Sequence, residues 1–238
     1  MRRYTNWGLV TIGAVLAILA MTSAAWVPAI QPYFIDEAEV TTDFECADYL
    51  SSAECEVIIA LHEDAPDNAL ALMQLMDPRN DVEVIDDDLA VVADDIRTEI
   101  GSSDMPEISD IKRGVFNPPL DAIRRAEGVA KIVSITSLDL QTVRYLIRLE
   151  GIGDDMFMVT HAPNIRIYLS SHPDPVDTEE AFGGDTLEVA RLKGNRGRQN
   201  YILLPDFDQS KYQSLVLFSP ELDMIFGVVP FADLAGTP

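Results

Sequence analysis

Basic side chains are scarce in this chain. Seventeen lysines and arginines stand against 40 aspartates and glutamates in 238 residues, a formal net charge of -23. That balance excludes a general nucleic-acid role, because phosphate binding needs a clustered positive field. Histidine occurs three times and cysteine twice, at Cys46 and Cys55. Two cysteines without matching histidine neighbours make a poor zinc site. The chain also lacks the phosphate-loop pattern G-x-x-x-x-G-K-[ST], the nucleophile elbow G-x-S-x-G and the calcium-loop pattern D-x-[DN]-x-[DN]-G. With 40 carboxylates, no pair can be singled out as a glycosidase couple. No catalytic residue and no metal ligand is therefore assigned.

What is present begins with an apolar N-terminus. Arg2 and Arg3 precede a run without charge from Asn6 to Ile35. Two readings stand. The apolar block Leu9 to Met21, followed by small Ser23, Ala24 and Ala25, suits a cleavable signal peptide. The longer stretch from Trp7 to Ile30, about 24 residues with aromatics near each end, is long enough to cross a bilayer of about 30 Å. Residues 1–35 are thus expected to be a membrane anchor or a signal peptide. The protein is expected at the cell membrane, single-pass with its C-terminal domain extracytoplasmic, or secreted after cleavage. Outside the cytoplasm two cysteines form a disulfide more often than two free thiols. Nine positions along one straight helix would hold them about 13 Å apart, so a Cys46–Cys55 bridge requires the chain to turn between them.

Residues 36–110 form an acidic segment, with 23 acidic side chains against Arg79 and Arg97 alone. Ser51 followed by Glu54 makes a capping box before an apolar run, which predicts a helix carrying Cys55 in its first turns. Asp64, Ala65 and Pro66 mark a second start and Asp77–Pro78 a stop. Leu89, Val92, Ala93, Ile96 and Ile100 make one stripe ending at Gly101, a C-terminal cap. Asp86, Asp87 and Asp88 invite a cation reading, but they also sit where a helix N-terminus favours negative charge.

From residue 111 the pattern changes to short apolar runs: 129–135, 142–150, 165–169, 187–192, 200–205, 214–219 and 224–229. In the second of these, Val143, Tyr145, Ile147 and Leu149 alternate with Arg144, Leu146 and Arg148, which predicts one wet face. Seven such runs with turn signals between them predict an antiparallel β-sandwich over 111–238. The fold class expected for the whole chain is mainly β, the sandwich being preceded by a small helical segment and a transmembrane helix.

The runs KGNRGRQNYILLP, YQSLVLFS and FGVVP, together with NIRIYLSSHPDP and AEGVAKI, resemble the DM-thirteen domain, the predicted electron-transfer domain of Skeletor-like proteins. The likeness covers roughly Gly114 to Leu234. Phe116 and Gly128 match its opening pattern, and Tyr168 and Leu169 its central strand. Lys193, Gly194, Asn195, Gly197, Gln199, Asn200 and Tyr201 match its most distinctive run. Two accounts of that run remain open. One is a tight turn in which Gly and Asn take positive φ and Tyr201 drops into the core. The other is an anion nest, with Lys193, Arg196 and Arg198 around backbone N–H groups.

The resemblance implies a redox cysteine at the position that Ser219 occupies here. A serine hydroxyl does not cycle between thiol and disulfide and is a poor ligand for haem or copper. The expected role is therefore a non-catalytic binding or interaction module of the cell envelope, without a cofactor, engaging a protein or a surface polymer. The membrane is a partner through the N-terminal helix, and nucleic acid is not. The alternative is a component of an electron-transfer system, as the resemblance implies, with the cofactor held elsewhere or by a partner; a haem bound by this chain itself could use His161 with Met156 or Met158, although each histidine is more often simply a loop residue. Cation-dependent adhesion through the acidic segment is a third reading.

Overall fold

The computed structural model describes residues 44–80 and 82–234. The expected anchor at 1–35 lies outside the described residues, and among those described no helix is long and apolar enough to cross a membrane. The described elements belong to one compact unit, Cys46–Pro238. It is mainly β, with almost wholly antiparallel pairing, and four α-helices accompany the strands among the described residues.

The first helix, α1 (Ser52–Asp64), starts where its chemistry requires. Ser51 accepts from the Glu54 N–H while the Glu54 carboxylate accepts from the Ser51 N–H at 2.8 Å, closing the reciprocal cap. Proline opens α2 (Pro66–Leu75), whose missing N–H costs nothing at that position. The Cys46–Cys55 disulfide is formed, with Cα atoms 5.7 Å apart, and ties the segment before α1 to its first turns. The third helix, α3 (Leu89–Ile100), is capped by Asp88, which accepts from Ala90 N–H at 2.8 Å, and ends on Gly101 at φ 74°.

Twelve strands are described: β1 (Val84–Asp86), β2 (Glu107–Val115), β3 (Ala126–Glu127), β4 (Val129–Ser137), β5 (Thr142–Glu150), β6 (Met158–Val159), β7 (Arg166–Ser170), β8 (Thr186–Arg191), β9 (Arg196–Ile202), β10 (Ser214–Ser219), β11 (Met224–Pro230) and β12 (Ala232–Asp233). The larger sheet runs β12-β2-β4-β5-β9-β6-β3, with β1 laid against β9, and the smaller runs β11-β10-β7-β8. Only the β1–β9 pairing is parallel among those described. A short fourth helix, α4 (Thr178–Phe182), covers one side of the smaller sheet. There Phe182 packs edge-on against Tyr168 and Phe218, ring centroids 5.1 and 4.9 Å apart.

Three sequence expectations need correction. The run expected as a strand at 200–205 begins at Arg196 and ends at Ile202, because the residues of the glycine turn themselves join the ladder. A nine-residue strand, β2, crosses the expected boundary at 110/111. Its Lys112 is 7% exposed, its Nζ donating to Tyr212 O at 3.0 Å and facing Asp233 at 3.3 Å. Finally, the wet face expected of β5 is covered. Leu146 and Arg148 are buried, whereas Val143, expected inside, is 36% exposed. The reason is α3: Ala93 and Ile96 pack on Val133, Ile135 and Leu146, so the sheet carries apolar contacts on that face as well.

A polar latch holds α3 in place. Asp139 Oδ1 accepts from the hydroxyls of Ser102 at 2.6 Å and Ser137 at 2.5 Å, and Oδ2 accepts from Ser103 N–H at 2.9 Å. These donors, the Ser102 hydroxyl foremost, hold the Asp139 carboxyl far below the usual carboxylate range. The chain leaving α3 is thereby tied to the β4–β5 turn.

Candidate functional site

Two places bear on function: the serine at the end of β10, and the basic turn that leads into β9. Ser219 is fully buried. Its hydroxyl donates to Pro163 O at 2.7 Å and accepts from Leu222 N–H at 3.4 Å. The first ties the β10–β11 hairpin to the loop before β7, and the second lies within the hairpin's own turn. Both kinds of bond available to a hydroxyl are in use, and buried polar groups satisfied in this way are structural in the first instance.

The turn from Lys193 to Gly197 is built around a fully buried amide. Gln199 Nε2 donates to Gly194 O at 2.8 Å, and its Oε1 accepts from Gly194 N–H at 3.3 Å. The same Oε1 accepts from the Tyr201 hydroxyl at 2.5 Å, and that hydroxyl accepts from Lys193 N–H at 2.9 Å. Residues 199 and 201 fall on one face of β9, so strand alternation delivers both side chains to the turn. Burial pushes the Tyr201 phenol well above its ordinary value, partly offset by the Lys193 N–H, and keeps it a neutral donor. Lys193 Nζ lies 5.2 Å from the centre of the Tyr201 ring. Two buried amide atoms of the run, Asn195 Oδ1 and Asn200 Nδ2, have no hydrogen-bond partner among the described residues.

The two glycines are required by what lies over them. A Cβ on Gly197, which sits at φ 97°, would fall 1.8 Å from Ile85 O, and one on Gly194 would fall 2.6 Å from Glu83 O. The backbone of β1 therefore occupies the space that side chains would fill. It is held there by Asp87 N–H donating to Arg198 O at 2.9 Å and by Arg196 N–H donating to Glu83 O at 3.3 Å.

Charge reinforces that contact. Arg198 Nε donates to Asp86 at 2.6 Å. Lys193 Nζ donates to Asp87 Oδ2 at 2.6 Å, and Asn200 N–H reaches the same oxygen at 2.9 Å. The Arg198 hydrogen bond holds the Asp86 carboxyl below its ordinary value. Arg148, which is buried, donates to Asn200 Oδ1 at 2.9 Å and to Glu150 at 2.6 Å. Of the three cations named in the nest reading, two are thus matched by carboxylates of the acidic segment. Arg196 has no ion pair among the described residues.

Two clefts flank this assembly. One, of about 530 Å³, is bordered by Val84, Asp86, Arg113, Glu150, Met156 and Arg198. The other, of about 350 Å³, is lined by Met76 and Asp77 just past the end of α2, by Glu127, Met158 and Arg196 of the sheet, and by His161 in the loop after β6. Met158 sits in register with Glu127 of β3 and Arg196 of β9, so these three form one cross-strand row. The structure therefore brings Met158 and His161 to one cleft and leaves Met156 in the other. His172 is elsewhere, its Nδ1 accepting from Asp174 N–H at 3.3 Å, and His62 is in the last turn of α1. Asp86, Asp87 and Asp88 are divided among two ion pairs and a helix cap. Among the described residues no three His, Cys, Asp or Glu side chains are grouped to hold a metal ion.

The chain was compared with known protein families, curated proteins and solved structures, and it matches none of them.

Proposed function

We propose that the chain is an exported, membrane-anchored protein whose two antiparallel sheets form a DM-thirteen-like sandwich, serving as a non-catalytic binding module of the cell envelope. The family reading rests on the motif run alone. The observation that carries the functional reading is Ser219, whose hydroxyl is enclosed and fully hydrogen-bonded where the resemblance implies a reactive thiol. The Cys46–Cys55 bridge supports export, since disulfides persist in oxidising compartments. The partner proposed is a protein or a surface polymer. The test is an absorbance spectrum of the full chain purified from its own host. A spectrum free of Soret and charge-transfer bands is expected, and a stoichiometric band overturns the reading.

A redox role is the second reading, favoured by the meeting of Met158 and His161 at one cleft. Thioether and imidazole are ligands that suit iron and copper centres. Under that reading the band would appear in the native material and would vanish on His161→Ala.

A further inference from the structure

We propose that the basic turn at 193–198 is a docking site for an acidic, extended peptide segment of a partner protein, and that β1 is the chain's own occupant of that site. The geometry defines what the site selects. Its ligand is a short parallel strand, Val84 to Asp86 against Arg196 to Arg198, so the main chain supplies the pairing. Two glycine gaps admit only backbone at close range. Two consecutive carboxylates are then read by Arg198 and Lys193. The sequence recognised is an apolar residue followed by two acidic ones, in extended form.

Little else holds β1. Val82 and Val84 are 43% and 52% exposed, and Ile85 is only half-buried. The strand has three residues and pairs with β9 alone. Such a segment belongs to the low-stability end of a fold, where local opening precedes global unfolding. Because Val82 borders one cleft and Val84 and Asp86 the other, its departure would open both clefts beside β9 and leave Lys193 and Arg198, already exposed, without their carboxylate partners next to Arg196. In a chain of net charge -23, that would leave three cations without an ion pair to β1 or Asp87 within six residues. A cis segment that fills the site lowers the apparent affinity for any trans ligand by the fraction of time the site is open.

This inference deepens the binding-module reading and rests on it. The two fail separately, because the absorbance spectrum decides the module reading and peptide binding decides this one. The experiment uses the full chain, a labelled end-blocked peptide of sequence VEVIDDD, and the variant Asp86→Asn/Asp87→Asn, which keeps acceptors at both positions while removing their charge. The peptide is expected to bind the variant at least about tenfold more tightly than the unaltered chain at low salt. Binding should weaken as ionic strength rises. A peptide with asparagine at its last three positions should not bind. Equal affinity for both chains, or equal binding of the neutral peptide, overturns the proposal. Should the variant fail to fold, hydrogen exchange on the unaltered chain decides. The amides of 84–87 are expected to exchange at least about tenfold faster than those of β5, and faster still in salt. Exchange of 84–87 at the rate of β5 overturns the proposal.

Discussion

Gly197 and Gly101 share a left-handed backbone and differ in what surrounds them, which makes the pair a measurement of how firmly β1 presses on β9. Gly101 stands at φ 74° with nothing within 4 Å of an added Cβ, while Gly197 stands at φ 97° with Ile85 O only 1.8 Å away. For Gly101→Ala the cost is conformational, about 1–2 kcal/mol for an L-residue held in the left-handed region. For Gly197→Ala that cost is joined by the loss of the strand above it. Its two bracketing hydrogen bonds, Asp87 N–H to Arg198 O and Arg196 N–H to Glu83 O, are each worth about 0.5–1.5 kcal/mol net. The exposed Asp86–Arg198 pair is left out of the sum, since solvent screens it. Gly197→Ala is therefore expected to cost about 1–3 kcal/mol more than Gly101→Ala. The comparison is made by urea denaturation of each variant, with unchanged slopes confirming a common unfolding transition. Equal losses would show that β1 does not constrain Gly197 and would refute the account of the turn.

Other outcomes follow from individual contacts. Ser219→Cys should fold, at a cost of about 1 kcal/mol for exchanging a strong hydroxyl donor for a weak thiol one. Its thiol should resist alkylation until the chain is unfolded, and rapid labelling of the native protein would contradict the enclosure seen here. Ser51→Ala removes the reciprocal cap of α1 and should lower the urea-denaturation stability by about 1 kcal/mol. Asp139 and Asp77 both have folded pKa values below the ordinary 3.8, Asp77 reaching about 2 through hydrogen bonds from the Arg79 side chain and backbone. Their stabilisation is complete above 3.8 and is lost as pH falls towards and through the folded values. The urea midpoint should drop over that window, and Asp139→Asn should flatten the drop; an unchanged slope would mean that the serine donors do not favour the charged form.

Much of the fold was readable because local chemistry and global structure agree. Ser51 with Glu54, Pro66, and Gly101 each mark a helix boundary by supplying or sparing a terminal hydrogen bond, and all three helices occur where these signals place them. Four apolar runs, at 129–135, 142–150, 214–219 and 224–229, lie within strands of nearly the same extent for the same reason. What escaped reading depended on partners distant in sequence. The strand β2 carries Glu107, Asp110, Lys112 and Arg113, a composition that suggests a loop until β4 and β12 are seen on either side of it. The alternation in β5 placed Ile147 and Leu149 inside, as expected, but it missed that the second face is buried too, because periodicity cannot show that a helix covers it. The candidate site divides in the same manner. Tyr201 in the core was foreseeable from the turn and strand pattern. The β1 contact was not, because its three short residues pair with β9 more than a hundred positions later.

The helix laid across Val133, Ile135 and Leu146 has a consequence for how this protein can be inherited or trimmed. A fragment beginning at Ile111 would keep only the second half of β2 and would turn a greasy, three-residue scar towards water. The acidic segment is thus less a leader to the β-rich half than its raincoat, and shuffling one without the other would yield a sticky product.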